Sequence, residues 1–258
     1  MKPQALILQA HGTNRDYDVA EALTLAGADP HPIPLNDLRA GKKQFADYQM
    51  LVVAGGFSYA DSLGAGKLLA LDLNSYFNEE ISAFVESGKP VIGICNGFQA
   101  LVKSGILPGE KKEASATLTF NAEGHFECRW VNLAPVSQTC IWTKDLEDTI
   151  LCPIAHGEGN FQTSELFPLS SFVENDQVAL TYIYPDGSPA NGNYPINPNG
   201  SILDIAGICN PQGNVLGLMP HPENHIHPYQ QPQWTRGVKG NSGLVLFENG
   251  VKYAKDFA

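Results

Sequence analysis

The sequence predicts an α/β protein. It reads as a mostly parallel sheet with helices on both faces and an additional region of antiparallel strands, in a single domain over residues 1–258. Three observations carry this. As far as Gly109, short apolar runs alternate with helical periodicity, the pattern of βαβ units. Beyond Gly109 the texture turns to Thr, Val, Trp and Tyr punctuated by turn residues, the pattern of antiparallel strands. The last segment returns to helical spacing.

Taken in order, Ala5–Ala10 (ALILQA) reads as a buried strand, and HGTN after it as a polar turn. RDYDVAEALTLAGA sets Val19, Leu23 and Ala26 at helical spacing. Asp16 and Asp18 suit the start of that helix, where its dipole favours carboxylates, and Gly27 suits its end. MLVVAGG (Met50–Gly56) is a second buried strand, and FSYADSLGAG a polar, glycine-rich loop. One long helical stretch is expected over Lys67–Ser87, then a strand at Pro90–Ile94 and a helix from Gly97. SATLTFNAEGHFECRWVNLAPV, QTCIWT and VALTYIYPDGS read as antiparallel strands lying beside the main sheet. SILDIAGICN and NVLGLMPHPE form a strand pair joined by Pro211-Gln212-Gly213, and SGLVLFENGVKYAKDF is helical. YPDGSPANGNYPINPNGS is longer than a connection needs, which points to a functional or packing role.

Hydrophobic residues make up 43% of the chain and charged residues 17%, an ordinary globular balance. The formal net charge of −11 disfavours nucleic acid or an anionic membrane surface as the main partner, since either wants a basic face. Cys95, Cys128, Cys140, Cys152 and Cys209 show no C-x-x-C spacing, and an odd, unpatterned set suits a reducing compartment. The apolar run near Met1 is broken by Gln9 and is short for a signal segment, and no stretch approaches a membrane span. A cytoplasmic protein is expected.

GKPVIGICNGFQALVKSGILPG carries the chemistry. An apolar strand ends on Cys95 between Gly93 and Gly97, and a helix follows at once. G-x-C-x-G at a strand-to-helix turn has the layout of a nucleophile elbow, which lifts a side chain clear of the sheet. The N–H groups and dipole at that helix start favour a thiolate over a thiol. The Asn96 N–H is placed to serve an oxyanion. A free cysteine is ordinarily a small buried hydrophobe. The glycine context reverses that reading for Cys95, and the other four, which lack it, read as structural.

A cysteine nucleophile needs a base, itself held by a third group. His221 ends the run VLGLM and has Glu223 two residues on, sharing a face in an extended segment. His156, in PIAHGEGNF, is the second candidate, with Glu158 at the same spacing. HPENHIH invites a zinc-site reading, but Pro222 excludes a helical H-E-x-x-H, and His225 and His227 read as solvated loop residues. No metal is expected. GGFSYADSLGAG has neither G-x-G-x-x-G directly after a strand nor G-K-[ST], so a phosphate loop is weakly supported. Gly55-Gly56 fits a close backbone approach to a small ligand, or an ordinary strand-to-loop turn.

Together these blocks resemble the class I (triad) glutamine amidotransferases. GTNRDYDVAEAL, GGFSYADSLGAG, GICNGFQALVKSGILPG, FECRWVNL, PIAHGEGNF, NPNGSILDIAGICN and VLGLMPHPE occur in that family's order across nearly the whole chain. PIAHGEG and NPNGS point to its purine-biosynthetic members. The resemblance implies a flavodoxin-like fold and a triad of Cys95 as nucleophile, His221 as base and Glu223 as orienting carboxylate. It implies oxyanion donors at Asn96 and Gly56, and a glutamine pocket shaped by Gln99 and the HGEG segment with His156. It also implies that glutamine is the substrate and that no cofactor belongs to this chain. ATP and Mg would be held by a separate synthetase subunit that converts formylglycinamide ribonucleotide to the amidine, and a small third subunit would be a further partner. Departures from the family pattern include Ala54, Arg15, Ala60, Asn160-Phe161 and Asn224. A cysteine hydrolase or chaperone-like enzyme on the same fold, and a catalytically silent binding subunit, are the competing classes.

Overall fold

The computed structural model describes residues 1–109, 115–164 and 169–258. Its first strand, β1 (Gln4–Gln9), leads into α1 (Asp16–Ala26), which ends on Gly27 at φ 98°, a left-handed cap that glycine adopts without strain. The chain continues through β2 (Asp29–Pro34), α2 (Leu35–Arg39), β3 (Met50–Val53), α3 (Lys67–Tyr76), α4 (Asn78–Glu86), β4 (Val91–Ile94) and α5 (Asn96–Lys103). Then come β5 (Ala116–Thr119), β6 (Glu127–Pro135), β7 (Ile150–His156), β8 (Asn160–Thr163), α6 (Leu169–Glu174) and β9 (Val178–Ile183). The last elements are β10 (Ile205–Cys209), β11 (Val215–Leu218) and α7 (Leu244–Ala254).

Nine strands form one sheet in the order β2-β1-β3-β4-β11-β10-β9-β6-β7. The first five pair in parallel, in the doubly wound order of flavodoxin-like folds. From β11 onward every pairing is antiparallel. The antiparallel strands therefore extend the main sheet rather than lying beside it, and β5 and β8 alone form a separate two-stranded sheet. α1 packs with α7, and α3 with α5. β3, β4, β10 and β11 are buried along their whole length, as strands covered on both faces must be.

The structure corrects three local readings. Lys67–Ser87 is two helices, because Phe77 leaves helical geometry (φ −134°) to bury its ring 5.5 Å from that of Phe45. QTCIWT is a turn, with the N–H groups of Thr143 and Lys144 both donating to the Cys140 carbonyl. Trp142 fills the space against α7 instead, with its indole N–H on the Asn214 carbonyl at 3.2 Å. β2 is an additional strand that its sequence conceals, since DPHPIP carries three prolines. It is an edge strand pairing only with β1, and its prolines alternate, so the missing N–H groups fall on the outer side. Cys128 is exposed, while Cys140, Cys152 and Cys209 are buried.

The long loop before β10 does have a packing role. Asn197, Asn199 and Ser201 are buried, and the Ser201 hydroxyl accepts the Phe161 N–H at 2.9 Å and lies 3.2 Å from the Gly159 carbonyl. It thereby braces the turn that follows His156. No described helix is long and apolar enough to cross a membrane.

Candidate active site

Three strand ends converge at the carboxyl edge of the parallel half, where doubly wound folds place their ligands. Cys95 follows β4 with φ 50° and ψ −106°, a strained conformation for a residue with a Cβ. Its N–H donates to the Leu218 carbonyl at 2.8 Å, tying the elbow to β11. The flanking glycines are required sterically. A Cβ on Gly97 would lie 1.8 Å from the Val53 carbonyl oxygen, and one on Gly93 2.4 Å from Leu101 Cδ1. α5 can therefore start hard against the sheet, with Cys95 at its N-cap.

His221 follows β11. Its N–H is held by the Pro153 carbonyl at 2.8 Å, and its Nδ1 lies 2.7 Å from Glu223 Oε1. The two are joined across a short 3-10 turn, Pro222–Asn224, rather than along an extended strand, because Pro222 opens that turn. Both side chains are buried. The other face of the ring region meets Gly55 and Cys95. A Cβ on Gly55 would sit 3.0 Å from His221 Cε1 and 3.5 Å from Cys95 Cβ. Burial works to lower the His221 pKa. The Glu223 carboxylate and the hydrogen-bonded Cys95 outweigh it and push the imidazole up to about 10. The cysteine, imidazole and carboxylate are thus brought together as one buried chain.

The remaining candidates line or support a cavity of about 150 Å³ above Cys95. Gly56 (φ 126°) packs where a Cβ would lie 2.6 Å from Asn14 Oδ1, so only glycine fits. Asn96 opens α5, where the first N–H groups have no intrahelical acceptor. Its side chain is locked: Oδ1 accepts from the Ser58 hydroxyl, and Nδ2 donates to Asp61 Oδ1 at 2.8 Å and Gln99 Oε1 at 3.2 Å. Gln99 Nε2 donates in turn to the Glu158 carbonyl at 2.7 Å.

His156 reaches the same cavity from the end of β7. Its Nδ1 lies 3.1 Å from Asn121 Oδ1, which also accepts the Gly159 N–H at 2.9 Å. Asn121 Nδ2 donates to the His125 and His156 carbonyls, so its oxygen is the end that faces the ring and Nδ1 carries the proton. His156 Nε2 is buried without a partner. Burial, reinforced by the nearby His221, holds this imidazole down at about 3, so it is neutral.

Sequence reasoning missed Asn121 and Asp61. Nothing local marks Asn121 in FNAEGHF, since its partners lie across a strand pair. Asp61 is submerged in a loop whose glycines dominate its reading. It lies in a run of left-handed residues, Tyr59 (φ 54°), Ala60 (φ 54°) and Asp61 (φ 52°). Burial pushes its carboxyl up, and the hydrogen bond from Asn96 opposes this.

His225 is corrected from a solvated to a buried residue. Its Nδ1–H reaches the Leu151 carbonyl, and Trp130 packs edge-on at 5.2 Å. His227 stacks on Tyr229 and pairs with Glu21 at 2.8 Å. Among the described residues, no three His, Cys, Asp or Glu side chains converge as metal ligands.

A doubly wound sheet with a cysteine elbow, a buried His–Glu pair and a small cavity above the sulfur is the architecture of the amidotransferase class. Residues 2–254 match the CobB/CobQ-like glutamine amidotransferase domain, and the chain belongs to that family. Phosphoribosylformylglycinamidine synthase subunit PurQ from Treponema denticola is 54% identical, over 98% of this chain and 99% of that protein. The structure of PurLQS from Thermotoga maritima contains a chain 31% identical to this one, with a TM-score of 0.76 and coverage of 98% and 99%. A glutamine amidotransferase from Thermotoga maritima, 15% identical with a TM-score of 0.52, covers 99% of this chain and 93% of its own and shares the fold alone.

Proposed function

We propose that the chain is the glutaminase subunit of a phosphoribosylformylglycinamidine synthase, hydrolysing glutamine and passing ammonia to a separate synthetase subunit. The juxtaposition of Cys95, His221 and Glu223 beneath the cavity carries this reading. Full-length similarity to PurQ proteins, and to a chain solved in a PurLQS complex, supports the choice of pathway and partners.

In the proposed reaction, the carboxamide of glutamine lies over Cys95. The Cys95 thiolate, paired with the His221 imidazolium, attacks the amide carbon. The oxyanion is met by backbone N–H groups at Asn96 and Gly56, and one such donor is worth about 3 kcal/mol. His221 gives its proton to the leaving nitrogen, and ammonia departs. Glu223 holds the ring with Nε2 toward the sulfur and stabilises its charge. Water then attacks the glutamyl thioester with His221 as base, and glutamate leaves. Gln99 and His156 shape the far side of the pocket.

Ammonia released into neutral water is protonated and lost as a nucleophile, so the cavity must open toward the acceptor subunit. ATP and Mg are held there, and a small third subunit completes the assembly. A glutaminase running without its acceptor wastes glutamine, so the isolated chain is expected to be nearly inactive.

The test is labelling of the assembled complex with diazo-oxo-norleucine, a glutamine-like electrophile, followed by peptide mapping. The label is expected on Cys95, with loss of glutamate release. A label on another side chain, or a folded complex that releases no glutamate from glutamine, would overturn the reading.

A further inference from the structure

The loop after β3 is held in a conformation that its residues do not favour. Tyr59, Ala60, Asp61 and Leu63 have φ between 52° and 65°, the left-handed region where a Cβ is crowded. Nowhere else among the described residues do four such positions fall within five. Gly56, one of the two proposed oxyanion donors, stands at the start of this loop. Its outer side is tied to the turn after β1. The Phe57 N–H donates to the Gly12 carbonyl at 3.2 Å, and the Tyr59 N–H to the His11 carbonyl at 2.6 Å.

The side facing Cys95 is held differently. Among the described residues, the hydrogen bonds that join this loop to the elbow, residues 93–97, all run through the Asn96 side chain. Its Oδ1 accepts the Ser58 N–H at 3.3 Å and the Ser58 hydroxyl, and its Nδ2 donates to Asp61 Oδ1 at 2.8 Å. The Ser58 N–H fixes which end of the amide is the oxygen. One carboxamide therefore grips the loop at two points, on either side of the left-handed Tyr59 and Ala60. Its other partner is Gln99 Oε1 at 3.2 Å. None of the three is a backbone group of α5, so Asn96 does not cap its own helix. Asn96 and Ser58 are buried. Loss of the carboxamide would strip Ser58 and Asp61 of that partner and let the crowded backbone relax.

We infer that the Asn96 carboxamide is a positioning residue, which clamps the left-handed loop to the elbow and so keeps the Gly56 N–H in register with the Asn96 N–H. This rests on the proposed glutaminase reading and deepens it. Asn96 then has two separate tasks. Its backbone serves the oxyanion directly, and its side chain holds the loop that carries the other donor. The oxyanion forms only on the way through the transition state, so the clamp acts on kcat and leaves KM alone.

The experiment is steady-state glutamate release from glutamine by the chain assembled with its partner subunits. Asn96→Ala is expected to lower kcat by about 10- to 100-fold, approaching the loss of one oxyanion donor, with KM within about threefold of wild type. Two further readouts on the same variant are expected to stay at wild-type values. One is the rate at which iodoacetamide alkylates Cys95, followed by peptide mass, which reports an intact elbow. The other is ammonia-dependent synthesis, which reports an intact assembly. Adding Ala60→Gly, which removes the crowding at one left-handed position, is expected to restore kcat of Asn96→Ala by about three- to tenfold. The same glycine in the wild type should change kcat less than twofold. Should Asn96→Ala fail to fold, Ser58→Ala removes one of the two grips and is expected to lower kcat by about three- to tenfold.

A raised KM with kcat intact would overturn the inference, since the side chain would then act on substrate binding. A slowed alkylation that matches the fall in kcat, or no restoration by Ala60→Gly, would overturn it too, by making Asn96 a support of the elbow itself. Unchanged kcat in Ser58→Ala would do the same for the fallback variant. No glutamate release by the wild-type complex would overturn the underlying glutaminase reading, and the inference with it.

Discussion

The chain carries the same three-residue pattern at His125-Phe-Glu127, where an exposed ring pairs with the carboxylate, and at two buried histidines, His221-Pro-Glu223 and His156-Gly-Glu158, and the fold uses the two buried copies in opposite ways. In the first, a 3-10 turn brings the carboxylate back onto the ring at 2.7 Å, and the imidazole is pushed up to about 10. In the second, the glutamate turns away to Lys103 and Ala65, and the ring meets the neutral amide of Asn121. Burial then prevails, and the imidazole falls to about 3. Both rings are buried beside one cavity. What separates a cation from a bare acceptor is which neighbour reaches the nitrogen, and spacing along the chain does not decide that.

The largest expected effect breaks the two turns separately. Glu223→Gln removes the charge that holds His221 protonated and oriented, and kcat for glutamine hydrolysis in the assembled complex should fall by about 10²- to 10⁴-fold. Glu158→Gln removes an ion pair at the pocket wall, and should raise KM by about tenfold with little change in kcat. Steady-state kinetics on both variants decides the matter, and equal losses in kcat would mean that the two turns are not functionally distinct.

The pH dependence of stability sharpens the same contrast. His156 has its pKa depressed from 6.5 to about 3, so the unfolded chain takes up a proton that the folded chain refuses. Stability from this group is present above about 6.5 and lost as pH falls toward 3. His221 is raised, so its contribution is full below about 6.5 and lost as pH rises through about 10. Each effect is on the order of a few kcal/mol. Denaturant unfolding across pH should show His156→Asn flattening the acid slope and His221→Asn flattening the alkaline one. The reverse pairing would invert the account.

How much of this is legible without the fold follows from the range of the interactions involved. The elbow is legible because its causes are local. Gly93 and Gly97 flank Cys95 on a strand-to-helix turn, and both are forced by contacts within β3 and α5. The His221–Glu223 pair is legible through spacing, although by the wrong geometry. The edge strand β2 is hidden by prolines, which an outer edge tolerates and an inner strand would not. The break at Phe77 has no proline or glycine to announce it; a buried ring decides it. Asn121 and Asp61 act on residues 35 positions away in sequence, beyond the reach of any periodicity.

Two smaller effects refine the steric part of the comparison. On Gly55, an added methyl would sit 3.0 Å from His221 Cε1. Gly55→Ala should shift the ring by a few tenths of an ångström, lower kcat by about tenfold and move the unfolding midpoint little. Stopped assays and thermal melts on one preparation check this, and a large loss of stability with kcat intact would contradict it. At the other extreme, Ala60 has φ 54°, where a Cβ is strained. Ala60→Gly should therefore stabilise the chain by up to about 1 kcal/mol, less the backbone entropy glycine loses on folding. Denaturant midpoints measure it, and a clear destabilisation would show that the Ala60 methyl makes a needed contact.

The sulfur of Cys95 is where both turns are put to use, and its removal is the most direct test. In the chain assembled with its synthetase and third subunit, Cys95→Ala should abolish glutamine-dependent synthesis of the amidine and leave ammonia-dependent synthesis at the wild-type rate. Equal loss of both would contradict the account, because it would make Cys95 a structural residue rather than the source of the ammonia.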